Sequence, residues 1–213
     1  MSFSFPKIYP ILDSSFIPSS DRSEFLHRLG SELAAAGVTL LEYRNKTGSD
    51  SEVLADSLIL RSVLPGSNLK LILDDRVDLV EQAGFDGVHV DAGDVSPIEA
   101  RRLLGPNRII GTFGGSNEFL PGTLDGPADY LAVGPVFATS TKQTSIAPIG
   151  PEGVKRLRSL AGPLRVLTAA GGVTIETAPA ILAAGASAVA VSAAIFCAPD
   201  PAAEFRRWAT ELG

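Results

Sequence analysis

Short apolar runs recur along the chain: IYPILD (8–13), TLLEYR (39–44), LKLILDD (69–75), GVHV (87–90), RIIGTF (108–113), YLAVGPV (130–136), RVLTAAGG (165–172) and SAVAVSAA (187–194). They are mostly apolar and do not alternate with polar residues, which is the pattern of parallel strands covered on both faces. Helical patterns lie between them. RSEFLHRLGSELAAAG places Phe25, Leu26, Leu29 and Leu33 on one face and ends in a glycine cap. TIETAPAILAAGA and DPAAEFRRWATEL follow the same logic, with Thr174 and Asp200 as candidate N-caps. The segment after the fifth strand, GGSNEFLPGTLDGPA, is a poor helix because Gly and Pro interrupt it.

Eight such strands, each followed by a crossover, predict an α/β chain folded as one domain over residues 1–213, a (β/α)8 TIM barrel. A doubly wound open sheet also alternates strand and helix. It would usually carry a G-x-G-x-x-G turn after its first strand, and ILDSSFIPSS has none. No linker, low-complexity tract or second domain is read from the sequence.

Composition narrows the function. The 213 residues are 45% hydrophobic and 20% charged, enough for a full core. The net charge is −6 without a basic stripe, which argues against nucleic acid and anionic membrane as partners. The apolar stretches fall short of a membrane span. A bound anion must therefore be held by a few local cations, backbone amides or a metal. The single cysteine, Cys197, excludes an intrachain disulfide and a cysteine metal site. MSFSFPKIYP has neither the charged nor the apolar region of a signal peptide, so a cytoplasmic protein is expected.

In a barrel of this kind the chemistry sits at the C-terminal ends of the strands. Those ends read EYRNK, DDR, HVDAGD, TSTK and AAGG. Arg44, Lys46 and Lys142 are placed to surround a polyanion, with Asp75 and Asp94 to hold a divalent metal against it. Hard oxygen ligands suit Mg2+ when phosphate oxygens complete the shell. Gly171 and Gly172 close strand seven, and Ser192 and Ala193 close strand eight, where barrels bind phosphate through loop amides. Two anion pockets imply small phosphorylated substrates, one a diphosphate and one a monophosphate. Plainer roles stand beside these: a solvated rim for the cations, helix caps or partners of Arg76 and Arg101 for the two aspartates, and a tight turn for the glycines. His89 reads as a core or supporting histidine, and His27 as structural.

The motifs EYRNK, ILDDRVDL, GVHVDAGD, GPVFATSTK and AAGGVT, in this order, resemble the thiamine phosphate synthase family over almost the whole chain. GPVFATSTK is the most specific, matching G-P-x-F-x-T-x-T-K. The resemblance implies a (β/α)8 transferase that joins hydroxymethylpyrimidine diphosphate to a thiazole phosphate and releases pyrophosphate with Mg2+ present. By position, Arg44, Lys46 and Lys142 resemble the diphosphate ligands, and Asp75 and Asp94 the Mg2+ carboxylates. Thr139 and Thr141, with Gly172 and the amides near Ser192 and Ala193, resemble the thiazole phosphate pocket. A small homo-oligomer is compatible with the resemblance.

The chain departs from the family pattern on the pyrimidine side. Glu42 stands where the family usually has glutamine, and Asp74 where it has asparagine. Each loses a donor and brings a like charge toward a polyanion, an effect of about 1 kcal/mol or more if unscreened. The family's I-G-x-S becomes IIGTF, with Phe113 at the serine position. Thr112 cannot replace that serine, because neighbouring strand residues face opposite ways. Two alternatives follow. A thiazole tautomerase-like isomerase would need a histidine where Gly115 stands. A non-catalytic paralogue would bind a phosphorylated thiamine precursor without turnover.

Overall fold

The computed structural model describes residues 4–64, 69–91, 93–139 and 145–213. Eight parallel strands close on themselves in sequence order. They are β1 (Ile8–Asp13), β2 (Leu40–Arg44), β3 (Lys70–Asp74), β4 (Gly87–Val90), β5 (Ile109–Gly115), β6 (Tyr130–Val133), β7 (Val166–Ala170) and β8 (Ala188–Val191). The expected (β/α)8 barrel is the observed one, and its strands begin within one residue of the apolar runs.

The helices are α1 (Arg22–Ala35), α2 (Asp50–Val63), α3 (Val80–Ala83), α4 (Pro97–Leu104), α5 (Gly150–Ala161), α6 (Ala178–Ala183), α7 (Ala193–Phe196) and α8 (Pro201–Leu212). Their starts follow local chemistry. Ser49 and Ser96 accept the amides of Glu52 and Glu99 at 3.2 Å, and Asp200 accepts that of Ala203 at 2.8 Å. Asp200 thus caps α8 as expected. Thr174 does not cap α6. It lies in a turn closed by Thr177 Oγ1, and the helix begins only at Ala178, after that turn. The crossover between β5 and β6 carries no helix among its described residues, in keeping with its Gly and Pro content.

Strand alternation sorts the side chains into two cores. Leu41, Tyr43, Leu71, Leu73, Val88, Ile110, Leu131 and Leu167 face the helices and join one large apolar cluster. Tyr9, Leu40, Ile72, Tyr130 and Ala190 fill the barrel interior. The interior positions nearer the C-terminal ends are polar and buried: Asp13, Glu42, Asp74, His89 and Thr168. Burying so many polar groups carries a folding cost unless each finds a partner, and it marks this end as the working one.

At the opposite face one hydrogen-bond pattern occurs three times. Arg61 Nη2 donates to Asp86 Oδ2 at 2.5 Å, and the same oxygen accepts the Leu71 amide at 3.0 Å. Arg101 Nη2 and the Ile110 amide both reach Asp129 Oδ2 at 2.7 Å. Arg158 Nη2 and the Leu167 amide meet Ser187 Oγ at 3.1 and 3.2 Å. Each arginine comes from α2, α4 or α5, and each amide from β3, β5 or β7. Each acceptor stands one residue before the strand that follows. Arg101 and Arg158 also donate to the carbonyls four and seven residues on, at 2.6 to 3.0 Å. The shared sequence behind this is R-x-x-x-G-P-x-R, at 101–108 and 158–165.

Candidate active site

The C-terminal strand ends surround a cavity of about 750 Å³. One wall is charged. Arg44, at the end of β2, pairs with Asp13 of β1 and lies 3.7 Å from Asp74 Oδ2. Lys46, two residues on and facing the same way, lies 2.9 Å from Asp74 Oδ2, pairs with Asp75 and is 3.8 Å from Asp91. Burial opposes the charge of Lys46, but Asp74 and Asp75 outweigh it and hold the ammonium above the ordinary lysine range. Burial pushes the carboxyls of Asp74 and Asp75 up, and the nearby carboxylates add to it while Lys46 opposes it. Carboxyl groups outnumber cations: among the described residues Arg44 and Lys46 face Asp13, Asp74, Asp75 and Asp91, with Asp94 bonded to the Asp91 amide.

The floor is a chain of hydrogen bonds across the barrel. Tyr9 OH donates to Glu42 Oε2 at 2.5 Å, Tyr9 and Tyr130 share a hydrogen bond of 2.7 Å, and Tyr130 OH lies 3.1 Å from His89 Nδ1. The two tyrosine rings meet edge to face with centroids 5.6 Å apart. Burial raises both phenols well above their usual range, so they remain donors. Burial also pushes Glu42 up to about 8, reinforced by the charge of Asp74 and opposed by the Tyr9 hydrogen bond.

The far wall is neutral. It is formed by Gly134 and Pro135 after β6, Ala138 and Thr139, Gly171 and Gly172 after β7, and Ser192 and Ala193 after β8. Gly172 has φ +64°, and a Cβ there would lie 2.3 Å from the Ala138 carbonyl oxygen, so only glycine fits the turn. Ser192 Oγ donates to the Ile11 carbonyl at 2.7 Å, which ties the end of β8 to β1. Phe113 also lines the cavity, on the inward face of β5 beside a bulge between Phe113 and Gly115. Thr112 faces outward and donates to the Val90 carbonyl at 3.0 Å.

A family model described as thiamine monophosphate synthase matches residues 8–195. The thiamine-phosphate synthase of Koribacter versatilis is 39% identical over 201 residues, covering 94% of each chain. That of Agrobacterium fabrum is 39% identical over 173 residues, or 79% of each. Among solved structures, thiamine phosphate pyrophosphorylase from Pyrococcus furiosus superposes with a TM-score of 0.82 at 26% identity, covering 97% of this chain and 95% of that one. The chain belongs to the thiamine monophosphate synthase family.

For this member of the family, the sequence-derived candidates divide by wall. Arg44, Lys46, Glu42, Asp74 and Asp94 line the charged side of the one cavity, and Asp75 adjoins it through Lys46. Phe113, Thr139, Gly171, Gly172, Ser192 and Ala193 line its floor and neutral side. Thr141 and Lys142 lie outside the described residues. The plainer roles for the aspartates are not the ones seen: Arg76 pairs with Asp50 and Asp78, Arg101 with Asp129, and α4 is capped by Ser96.

The residues that sequence reasoning missed are Asp13, Tyr9, Tyr130, Thr168 and Asp91. The first two share an inward face with Ile11 on β1, a signal available from strand alternation alone. Asp91 joins Asp74 and Asp75 in a group that offers one carboxylate oxygen each, the three lying within 4.8 Å of one another. Asp94 accepts the Asp91 amide at 2.8 Å and so shapes the turn that presents it. Asp75 Oδ1 is buried with no hydrogen-bond partner among the described residues. An orphaned carboxylate oxygen within a set of hard donors fits a divalent cation such as Mg2+.

Proposed function

We propose that the cavity joins hydroxymethylpyrimidine diphosphate to a thiazole phosphate, with the diphosphate on the charged wall and the monophosphate on the neutral one. What carries this reading is a single cavity with two unlike walls: cations and carboxylates at the ends of β2–β4, glycine turns and uncharged residues at the ends of β7 and β8. Arg44, Lys46 and Lys142 would take the diphosphate, and Thr139, Thr141, Gly171, Gly172, Ser192 and Ala193 the thiazole phosphate. Asp74, Asp75 and Asp91, with Asp94 beside them, would hold Mg2+, which when bound offsets the charge building on the leaving pyrophosphate. The excess of carboxylates over cations supports that need, since a diphosphate alone would add to the repulsion.

The chemistry asks for charge stabilisation and alignment. The aminopyrimidine expels pyrophosphate, leaving a resonance-stabilised cation at its methylene, and the thiazole nitrogen adds to that carbon. Arg44 and Lys46 bind the departing pyrophosphate, and the neutral wall aligns the second ring. Glu42, held neutral near pH 7, can offer the pyrimidine a proton donor where a carboxylate could not. Phosphorylated substrates and a single exposed cysteine fit a cytoplasmic setting.

The test is pyrophosphate release from the purified protein given both substrates and Mg2+, with each omitted in turn. Release that needs all three, together with thiamine phosphate, supports the reading, and chelation by EDTA should abolish it. Binding of both phosphates without turnover would instead support a non-catalytic paralogue. Phe113→Ser should raise turnover by about tenfold if the ring narrows the pyrimidine side. Unchanged or lower turnover would mean that the ring is used by the substrate.

A further inference from the structure

The alternation of β2 sends its residues to two places. Arg44 faces the cavity, whereas Tyr43 and Asn45 turn outward into a buried polar cluster between α1 and α2. Arg22, the first residue of α1, donates through Nε to both Asp56 oxygens at 3.0 Å and through Nη2 to Oδ2 at 2.6 Å. Tyr43 OH donates to the same Asp56 oxygen and accepts from Asn45 Nδ2 at 3.0 Å. Asn45 Nδ2 also donates to Glu52 Oε1 at 2.8 Å. Its Oδ1 accepts the amides of Thr47 at 3.3 Å and Gly48 at 2.8 Å. The loop packs closely on it, since a Cβ at Gly48 would lie 2.3 Å from Asn45 Nδ2.

The amide of Asn45 thus grips the backbone after Lys46 with its oxygen and the helix layer with its nitrogen. We infer that Asn45, backed by Tyr43, Asp56 and Arg22, is a positioning residue that sets Lys46 and Arg44 for recognition of the diphosphate. The inference rests on the assignment of those two cations to the diphosphate. A lysine is a point charge on a flexible stem, so its reach depends on where its Cα is fixed. Three carboxylates compete for the Lys46 ammonium. Without the grip the backbone that carries Lys46 is free to shift, and the ammonium is no longer held at the cavity edge where a phosphate can draw it from them. An ordinary structural cluster would instead affect stability alone, since a buried ion pair needs no connection to a site to matter for folding.

Steady-state kinetics on the full chain separates these roles. The variants are Asn45→Ala, Tyr43→Phe and Lys46→Ala. The probes are hydroxymethylpyrimidine diphosphate, thiazole phosphate and inorganic pyrophosphate as product inhibitor. Asn45→Ala should raise both the KM for the diphosphate and the inhibition constant of pyrophosphate by about tenfold, the size of one loosened charge-assisted hydrogen bond. The KM for thiazole phosphate should stay within about twofold, because that wall is built from other strands. Tyr43→Phe, which removes one oxygen and keeps the Arg22–Asp56 pair, should move the same two constants in the same direction. It carries the comparison if Asn45→Ala does not fold.

A lowered melting temperature with both constants unchanged would overturn the inference. If Lys46→Ala weakens pyrophosphate inhibition while Asn45→Ala and Tyr43→Phe do not, the positioning role alone fails. If Lys46→Ala leaves pyrophosphate inhibition untouched, the diphosphate assignment falls and takes this inference with it.

Discussion

Replacing Lys46 by alanine should lower kcat/KM by about a hundredfold or more, the usual scale for losing one group aimed at charge that develops in the transition state. The side chain is well placed for that loss. It is the one residue that touches Asp74, Asp75 and Asp91 at once among the described pairs, and it stands beside Arg44. The same change leaves Asp74 and Asp75 without their nearest ammonium, so their already raised carboxyl pKa values should rise further. The sign follows from linkage. A carboxyl whose folded pKa lies above its unfolded value contributes stability below the unfolded pKa and loses it as pH rises through the folded one. The variant should therefore melt lower than the parent at pH 8, and by less at pH 5. Pyrophosphate release and thermal melts at the two pH values check both halves. Parent-like turnover would remove Lys46 from the reaction.

Glu42→Gln should stabilise the protein at neutral and alkaline pH and do little in acid. Glu42 is 3% exposed, and burial, then the charge of Asp74, lifts its carboxyl from about 4.5 to about 8. Its contribution to folding is full below about pH 4.5 and is lost progressively up to about pH 8. Glutamine does not titrate, keeps an oxygen for the Tyr9 hydroxyl and removes that dependence. The stability gap between variant and parent should open by up to a few kcal/mol between pH 5 and pH 8. Urea unfolding at those two values measures it. A gap that is the same at both would mean that Glu42 is not carrying a proton in the folded protein.

How the fold could be read so far from the sequence is clear from β3 and β4. LKLILDD and GVHV are apolar enough to be buried on both faces, and nothing nearby competes for a helix. Thr174 shows the limit. Two threonines three residues apart both suit a cap, and the choice between them depends on how the turn docks. The charged wall was legible because Arg44 and Lys46 stand two apart at the end of one strand, and a DD pair ends the next. The floor was not. Tyr9 and Tyr130 meet across 121 residues of sequence, and neither has a local signal that it needs the other. Nor was Asp91 legible. Its place beside Asp74 and Asp75 depends on the neighbouring positions of β3 and β4, which appear only once the barrel closes.

The three arginine clasps at the far face give the barrel a grain. Each one sews β3 to β4, β5 to β6, or β7 to β8, while two further arginines at the same face bridge between these pairs: Arg108 donates to the Phe85 carbonyl and Arg165 to that of Ala128. The third clasp uses Ser187 in place of an aspartate, and Arg158 also donates to the Gly185 carbonyl at 2.6 Å. A chimera that exchanges two strands at a time would carry its clasp with it but break an arginine bond at its border. A cut between β5 and β6 would sever a clasp. Two alternating sets of arginine bonds thus keep the register at the lower face, while the upper loops are free to change chemistry.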